Sequence, residues 1–227
     1  MVEKERQRQT NRQPMPIKLV MKENNALPVF VRSLTECANR CVSKTKCVSF
    51  FYNHIDSLCQ SDGKIYVTSV YKNAYSWIYY ETKMTNVAAC KSVNMSSEYN
   101  PPHHSPHYAV DDQVFNTWHA KKCASTMNES TPWINIDLGN TFDVNYVTLF
   151  NVMGPSGGRL RHISVFLGEA AGLFLVSCGK FEGPAENAEV VHVVCDTPAR
   201  EQFVKIQINS YSNQTDLLTL CEIRVMV

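Results

Sequence analysis

Pro132-Trp133-Ile134-Asn135-Ile136-Asp137-Leu138 alternates apolar and polar side chains, and the chain repeats the device downstream. Phe142, Val144, Tyr146 and Thr148 stand against Val147 and Leu149; Ile163, Val165 and Leu167 follow, then Phe203-Val204-Lys205-Ile206-Gln207-Ile208. Period-two alternation turns one set of side chains to a core and the other to solvent, which is the pattern of a half-buried strand. The final stretch, Leu218-Thr-Leu-Cys221-Glu222-Ile-Arg-Val-Met-Val227, is another such segment. Many short strands separated by turns, with no long helical period among them, predict that residues 109–227 form an antiparallel β-sandwich of jelly-roll type.

Upstream the pattern changes. Residues 1–24 are polar, lack periodicity and include Pro14 and Pro16, so they read as a tail, disordered or an artefactual start. Residues 25–83 form a small cysteine-rich region, and Met84-Thr-Asn-Val opens the connection to the long β region, 84–227. In the small region Ser33 and Glu36 have the spacing of a capping box and predict a helix start. Cys37 and Cys41, four residues apart, share one face of that helix. Cys47-Val-Ser-Phe-Phe-Tyr52, Lys64-Ile-Tyr-Val-Thr-Ser-Val-Tyr71 and Ser76-Trp-Ile-Tyr-Tyr80 have strand propensity. The reading is a helix stapled onto a small antiparallel sheet, a mostly β protein with one α+β module.

Composition bounds the function. The 227 residues carry a net charge of +1, so no global field draws the protein to nucleic acid or an anionic bilayer, and neither is an expected partner. Nine cysteines, none in a CxxC pair or alternating with ligand-spaced histidines, read as disulfides rather than a zinc site. Sequons at Asn94, Asn128 and Asn213 agree with an oxidising, secretory route. The charged start Met1-Val-Glu-Lys-Glu-Arg carries no apolar stretch of a signal peptide, and no apolar run is long enough to span a membrane. The expectation is a secreted protein whose true N-terminus lies outside this sequence; the other reading is a cytosolic chain with free thiols. No nucleophile elbow, HExxH or phosphate loop occurs, so no enzyme is expected.

With Cys37-x3-Cys41-x5-Cys47, an aromatic strand and then Cys59, the first region resembles the PAN/apple family. The resemblance implies bridges Cys41–Cys47 and Cys37–Cys59. Cys90 stands where some members of the apple subgroup close an additional bridge, but the partner would lie upstream of Cys37, where there is no cysteine. A free thiol or an intermolecular bridge are the alternatives for Cys90.

Four landmarks of the second region, Ala109-Val-Asp111-Asp112, Cys123 before Pro132-Trp133, Val147-Thr-Leu-Phe-Asn151, and Leu218-Thr-Leu-Cys221-Glu222, resemble the fucolectins, or F-type lectins, which share the galactose-binding-like discoidin fold. The resemblance implies bridges Cys123–Cys221 and Cys178–Cys195. The first closes nearly the whole domain, for which chain entropy predicts about 4 to 5 kcal/mol of stabilisation. It also implies a fucose site made of a histidine, two arginines and an aspartate beside an adjacent-cysteine disulfide. Here those positions hold Ser125, Val152, Arg159, Gly154 and Pro155-Ser156, so only Arg159 is retained. His119 is a further candidate for the pocket. The family's calcium carboxylates correspond to Asp111 and Glu222, whose hard oxygens suit Ca2+. Lys122 replaces a ligating serine and Gln113 an asparagine; either calcium binds with Lys122 turned to water, or the Lys122 ammonium takes the place of the ion.

Three further features have a plain and a functional reading. Pro101-Pro-His103-His104-Ser-Pro-His107 is a loop before the first strand or a transition-metal cluster. Tyr71, Tyr75, Trp77, Tyr79 and Tyr80 are packing residues or a ligand-facing set, and Arg159-Leu-Arg161-His162 is a solvated rim or a glycan patch. The leading function is recognition of cell-surface or microbial glycans at an altered lectin site, with assembly into a homo-oligomer adding avidity. The alternative is an adhesion module that binds extracellular proteins on a lectin scaffold that has lost its sugar site.

Overall fold

The computed structural model describes residues 2–3, 27–44, 47–64, 76–82, 84–114, 122–154, 156–211 and 214–227. It divides into two compact units, Met1–Met84 and Thr85–Val227. The predicted strand at 64–71, apart from Lys64, lies outside the described residues, as do Tyr71, Tyr75, His119, Pro155 and Asn213. Among the described residues no helix is long and apolar enough to cross a membrane.

The first unit is built on five antiparallel strands, β1 (Val2–Glu3), β2 (Val29–Phe30), β3 (Ser49–Asn53), β4 (Leu58–Asp62) and β5 (Trp77–Thr82), in the order β1-β5-β3-β4-β2. Val2 and Glu3, which the sequence placed in the polar tail, are the edge strand, paired with Thr82 and Glu81 through their backbone. The helix α1 (Leu34–Val42) starts as its cap spacing predicts: the Ser33 side chain accepts the Glu36 amide at 3.1 Å. The Glu36 carboxylate accepts the Arg32 amide at 2.8 Å, one residue before the position that a reciprocal box uses. Cys37, Ala38 and Cys41 form its buried face, packed with Val31, Phe50 and Cys59. Disulfides Cys37–Cys59 and Cys41–Cys47, the pairs implied by the family resemblance, fasten the helix to β4 and to the lead-in of β3. Of the aromatic set, Tyr79 is buried and Tyr80 stacks on Phe50 with centroids 5.2 Å apart, which is packing.

The second unit is an antiparallel sandwich whose layers share two long strands, β8 (Trp133–Phe150) and β11 (Val190–Ile208). The first half of β8 pairs with β6 (Ser92–Met95) and with the end of β11, which continues to β9 (Ile163–Gly168) and β10 (Val176–Phe181). The second half of β8 pairs with the start of β11 and with β13 (Glu222–Met226). The sequence reading separated Ile134–Leu138 from Phe142–Leu149 as two strands. They form one strand: its ladder with β11 resumes on both sides of the turn at Gly139, φ +79°, with one register shift, between Glu201 and Phe203, opposite that turn and the other, between Val194 and Ala199, opposite Asn145. Ile134, Ile136, Leu138, Val165, Leu167, Val204, Ile206, Ile223 and Val225 fill the core between the layers.

A short pair, β7 (Ala124–Ser125) with β12 (Thr219–Leu220), flanks the Cys123–Cys221 bridge, and Cys178–Cys195 ties β10 to β11. These are the two pairs implied by the lectin resemblance. Cys90 is a free, exposed cysteine.

Candidate functional site

Four connections of the sandwich, 126–132, 151–162, 182–189 and 209–218, meet at one end. They are joined by backbone hydrogen bonds from Glu129 to Asp216 (3.1 Å), Asn209 to His162 (2.9 Å), His162 to Glu182 (2.9 Å) and Ala185 to Leu160 (2.8 Å). The Asn151 amide donates to the carbonyls of Gly157 and Glu186 at 2.9 and 2.8 Å, which stitches the 151–162 connection to 182–189. Gly157 is required there: a Cβ on it would collide with Asn187. The end of the sandwich is therefore a fixed platform rather than a set of independent loops.

The sequence-predicted site residues fare differently on this platform. Arg159 lies on the short 3₁₀ turn Gly157–Arg159 and is exposed. Ser125 is fully buried; its hydroxyl meets Thr219 Oγ1 at 3.0 Å and donates to the Thr126 carbonyl at 3.3 Å. Ser125 is thus closed off from solvent, with its hydroxyl engaged inside the β7–β12 pair. Val152 is buried against the Cys123–Cys221 bridge, where an apolar side chain replaces the family's sugar-binding arginine.

Beside Arg159 is a constellation only partly legible in sequence. Arg161 Nη2 pairs with Asp216 Oδ1 at 2.8 Å; the aspartate is 7% exposed, the arginine 44%. Burial alone raises the Asp216 carboxyl, but hydrogen bonds from Arg161 and Ser210 and the charges of Arg161 and His162 outweigh it and hold the group below its usual range. His162 meets the Tyr211 ring edge-on at 4.9 Å, and Tyr211 is 63% exposed. The result is a guanidinium fixed by a buried carboxylate and, one residue along the chain, a histidine that meets a solvent-facing aromatic ring. Planar donors and an aromatic face are the chemistry that binds polyhydroxylated rings. Arg161 and His162 were in the sequence-predicted patch; Asp216 and Tyr211 carried no signal, since only the meeting of two distant loops gives them a role.

The calcium residues of the lectin family meet at a separate locus. Glu222 opens β13 and is fully buried, and neither carboxylate oxygen receives a well-formed hydrogen bond. Burial pushes its carboxyl up to about 8; Arg224 opposes this, Asp111 and Asp112 add to it, and the Asp112 amide helps weakly. Burial and the negative charge of Asp111 and Asp112 are costs to this carboxylate that a hard divalent cation would relieve. Lys122 donates to the Gln113 side chain at 3.4 Å, while Arg224 reaches Asp112 at 3.4 Å and supplies positive charge that Glu222 feels. Asp111 itself accepts the Gln113 amide at 3.0 Å.

The histidine run is structural at its centre: His104 is 3% exposed and its Nδ1 lies 3.0 Å from the Cys123 carbonyl. Among the described residues no three metal-ligating His, Cys, Asp or Glu side chains cluster.

Comparison with known proteins places this geometry. Residues 92–223 match the F5/8 type C domain family and residues 17–84 the PAN domain family. The lectin domain of Lectinolysin complexed with Lewis B antigen is 25% identical, with a TM-score of 0.55 over 62% of this chain and 95% of that one. A fucolectin from striped bass (Morone saxatilis) serum is 20% identical, TM-score 0.59, over 64% of this chain and 49% of the lectin, so this chain spans about half of it. A Streptococcus pneumoniae fucose binding module, SpX-3, is 18% identical, TM-score 0.53, over 62% and 96%. Among curated proteins no sequence matches. The solved structures it resembles are named as lectins or binding modules. With the fold, the bridges and the two matched segments in agreement, the chain belongs to the F5/8 type C domain family, its sugar-binding-type sandwich preceded by a PAN domain.

Proposed function

We propose that this protein acts outside the cell and binds carbohydrate at the loop end of its sandwich, through Arg161, Tyr211 and His162 together with Arg159, the one residue kept from the fucolectin set. The observation that carries the reading is the Arg161–Asp216 pair: a half-exposed guanidinium held by a buried acid at 2.8 Å is pre-oriented, so its free edge binds hydroxyls or a ring oxygen with little ordering cost. Extracellular action follows from four disulfides, which persist in oxidising compartments. Calcium at Asp111 and Glu222 belongs to the same reading, as a brace between the chain segment before β7 and the last strand. Weak single sites of this kind gain from assembly, and a homo-oligomer is part of the proposal.

A glycan-array screen of the disulfide-bonded protein, run with Ca2+ and with chelator, tests it. Binding to a defined glycan class that falls at least about tenfold in Arg161→Ala, a loss of about 1.4 kcal/mol, is the expected result. A folded protein silent on every glycan overturns it. The second reading, an adhesion module for extracellular proteins, is favoured by the burial of Ser125 and Val152, which removes two of the family's sugar contacts; silence on glycans is its expected outcome.

A further inference from the structure

The outer face of the sheet that contains β6 is not an ordinary solvated surface. Register places Asn94 on β6 opposite Asn135 on β8, Asn135 opposite Lys205 on β11, and Lys205 opposite Phe166 on β9, so four side chains form one row on one face. Trp133 and Phe203 flank the row on the same face, because residues two apart in a strand point alike. Lys205 Nζ lies 5.6 Å from the Trp133 ring centroid and 5.7 Å from that of Phe174. Trp133, Phe166, Phe174, Phe203 and Lys205 are all half-buried, and the Asn135 side-chain oxygen is buried without a hydrogen-bond partner. One end of the row is exposed: Asn94, on the free edge of β6, in the sequon Asn94-Met95-Ser96.

We propose that Asn94 carries an N-linked glycan whose first N-acetylglucosamine residues lie along this row, on a shelf made by Asn135, Lys205 and Trp133. The complementarity is chemical. Sugar hydroxyls accept from the Lys205 ammonium, and the acetyl methyl and apolar ring face rest on Trp133 and Phe166. The reach is sufficient, since neighbouring strands are about 4.8 Å apart and Asn135 is the adjacent residue in the ladder. This inference is independent of the loop-end site, which lies on other residues.

The test expresses the full chain through the secretory pathway of a glycosylating cell and reads glycan occupancy at Asn94 by glycopeptide mass spectrometry. Endoglycosidase trimming at Asn94 is then timed on the native protein, for wild type and for Asn135→Ala and Lys205→Ala, with folding of each checked by circular dichroism. The expected result is an occupied Asn94 trimmed several-fold more slowly in wild type than in either variant, and a melting temperature that falls in Asn94→Gln. An unoccupied Asn94 overturns the proposal and leaves the shelf to a second copy or a protein partner. Equal trimming rates in wild type and variants also overturn it.

Discussion

His192 shows what a single residue does when the fold encloses it. It stands on β11 with Nδ1 3.0 Å from Thr148 Oγ1, edge-on to Tyr146. Burial drives its pKa down from 6.5 to about 4, so the folded state excludes a proton that the unfolded chain binds. The sign follows: the contribution of this group to stability is complete above about pH 6.5 and is lost as pH falls toward 4, by about 3 kcal/mol. Urea titrations of wild type and His192→Gln between pH 7 and 4 measure it. The variant should lose markedly less stability over that span; parallel curves would show that His192 is not the group responsible. No sequence pattern marked this histidine, because its surroundings come from Tyr146 and Thr148 on another strand.

At the scale of elements, α1 is the part of the fold most directly legible in sequence. Its cap, acidic first turn and cysteine face all sit within Ser33–Cys41, and local spacing sufficed to read them. Ser33→Ala removes the side chain that accepts the Glu36 amide and should cost about 1 kcal/mol. Native-state hydrogen exchange at the α1 amides should accelerate accordingly while the β8 and β11 amides stay as they are; unchanged exchange in α1 would exclude a capping role. The long strands were less legible. Alternation identified both halves of β8, but a local pattern does not say whether a chain breaks or bends at a glycine. That was decided by β11, whose pairing with β8 resumes beyond Gly139 after the register shift between Glu201 and Phe203.

For the sandwich as a whole, Asp112 with Arg224 and Cys123 with Cys221 join the two ends of the unit, and Glu222 on the last strand feels the like charge of Asp111. A cation bound between Asp111 and Glu222 favours the folded state by mass action, about 2.7 kcal/mol at a hundredfold excess over Kd. Scanning calorimetry with Ca2+ and with chelator should show a higher melting temperature with the ion and none of that increase in Glu222→Gln. Identical melting in both solutions would remove calcium from the account. Sequence by itself determined the two-module division and the mostly β class, which are written in local spacing, and it carried the cysteines and landmarks whose family resemblance implied the four bridges. It also exposed the loss of the fucolectin set at Ser125, Val152 and Gly154. Only the tertiary structure decided that Ser125 is sealed inside the fold, that Asp216 pairs with Arg161 while the next residue, His162, meets Tyr211, and that Glu222 is buried. Those properties belong to pairs of residues brought together by chain crossing, and burial, desolvation and orientation have no value until that crossing is made.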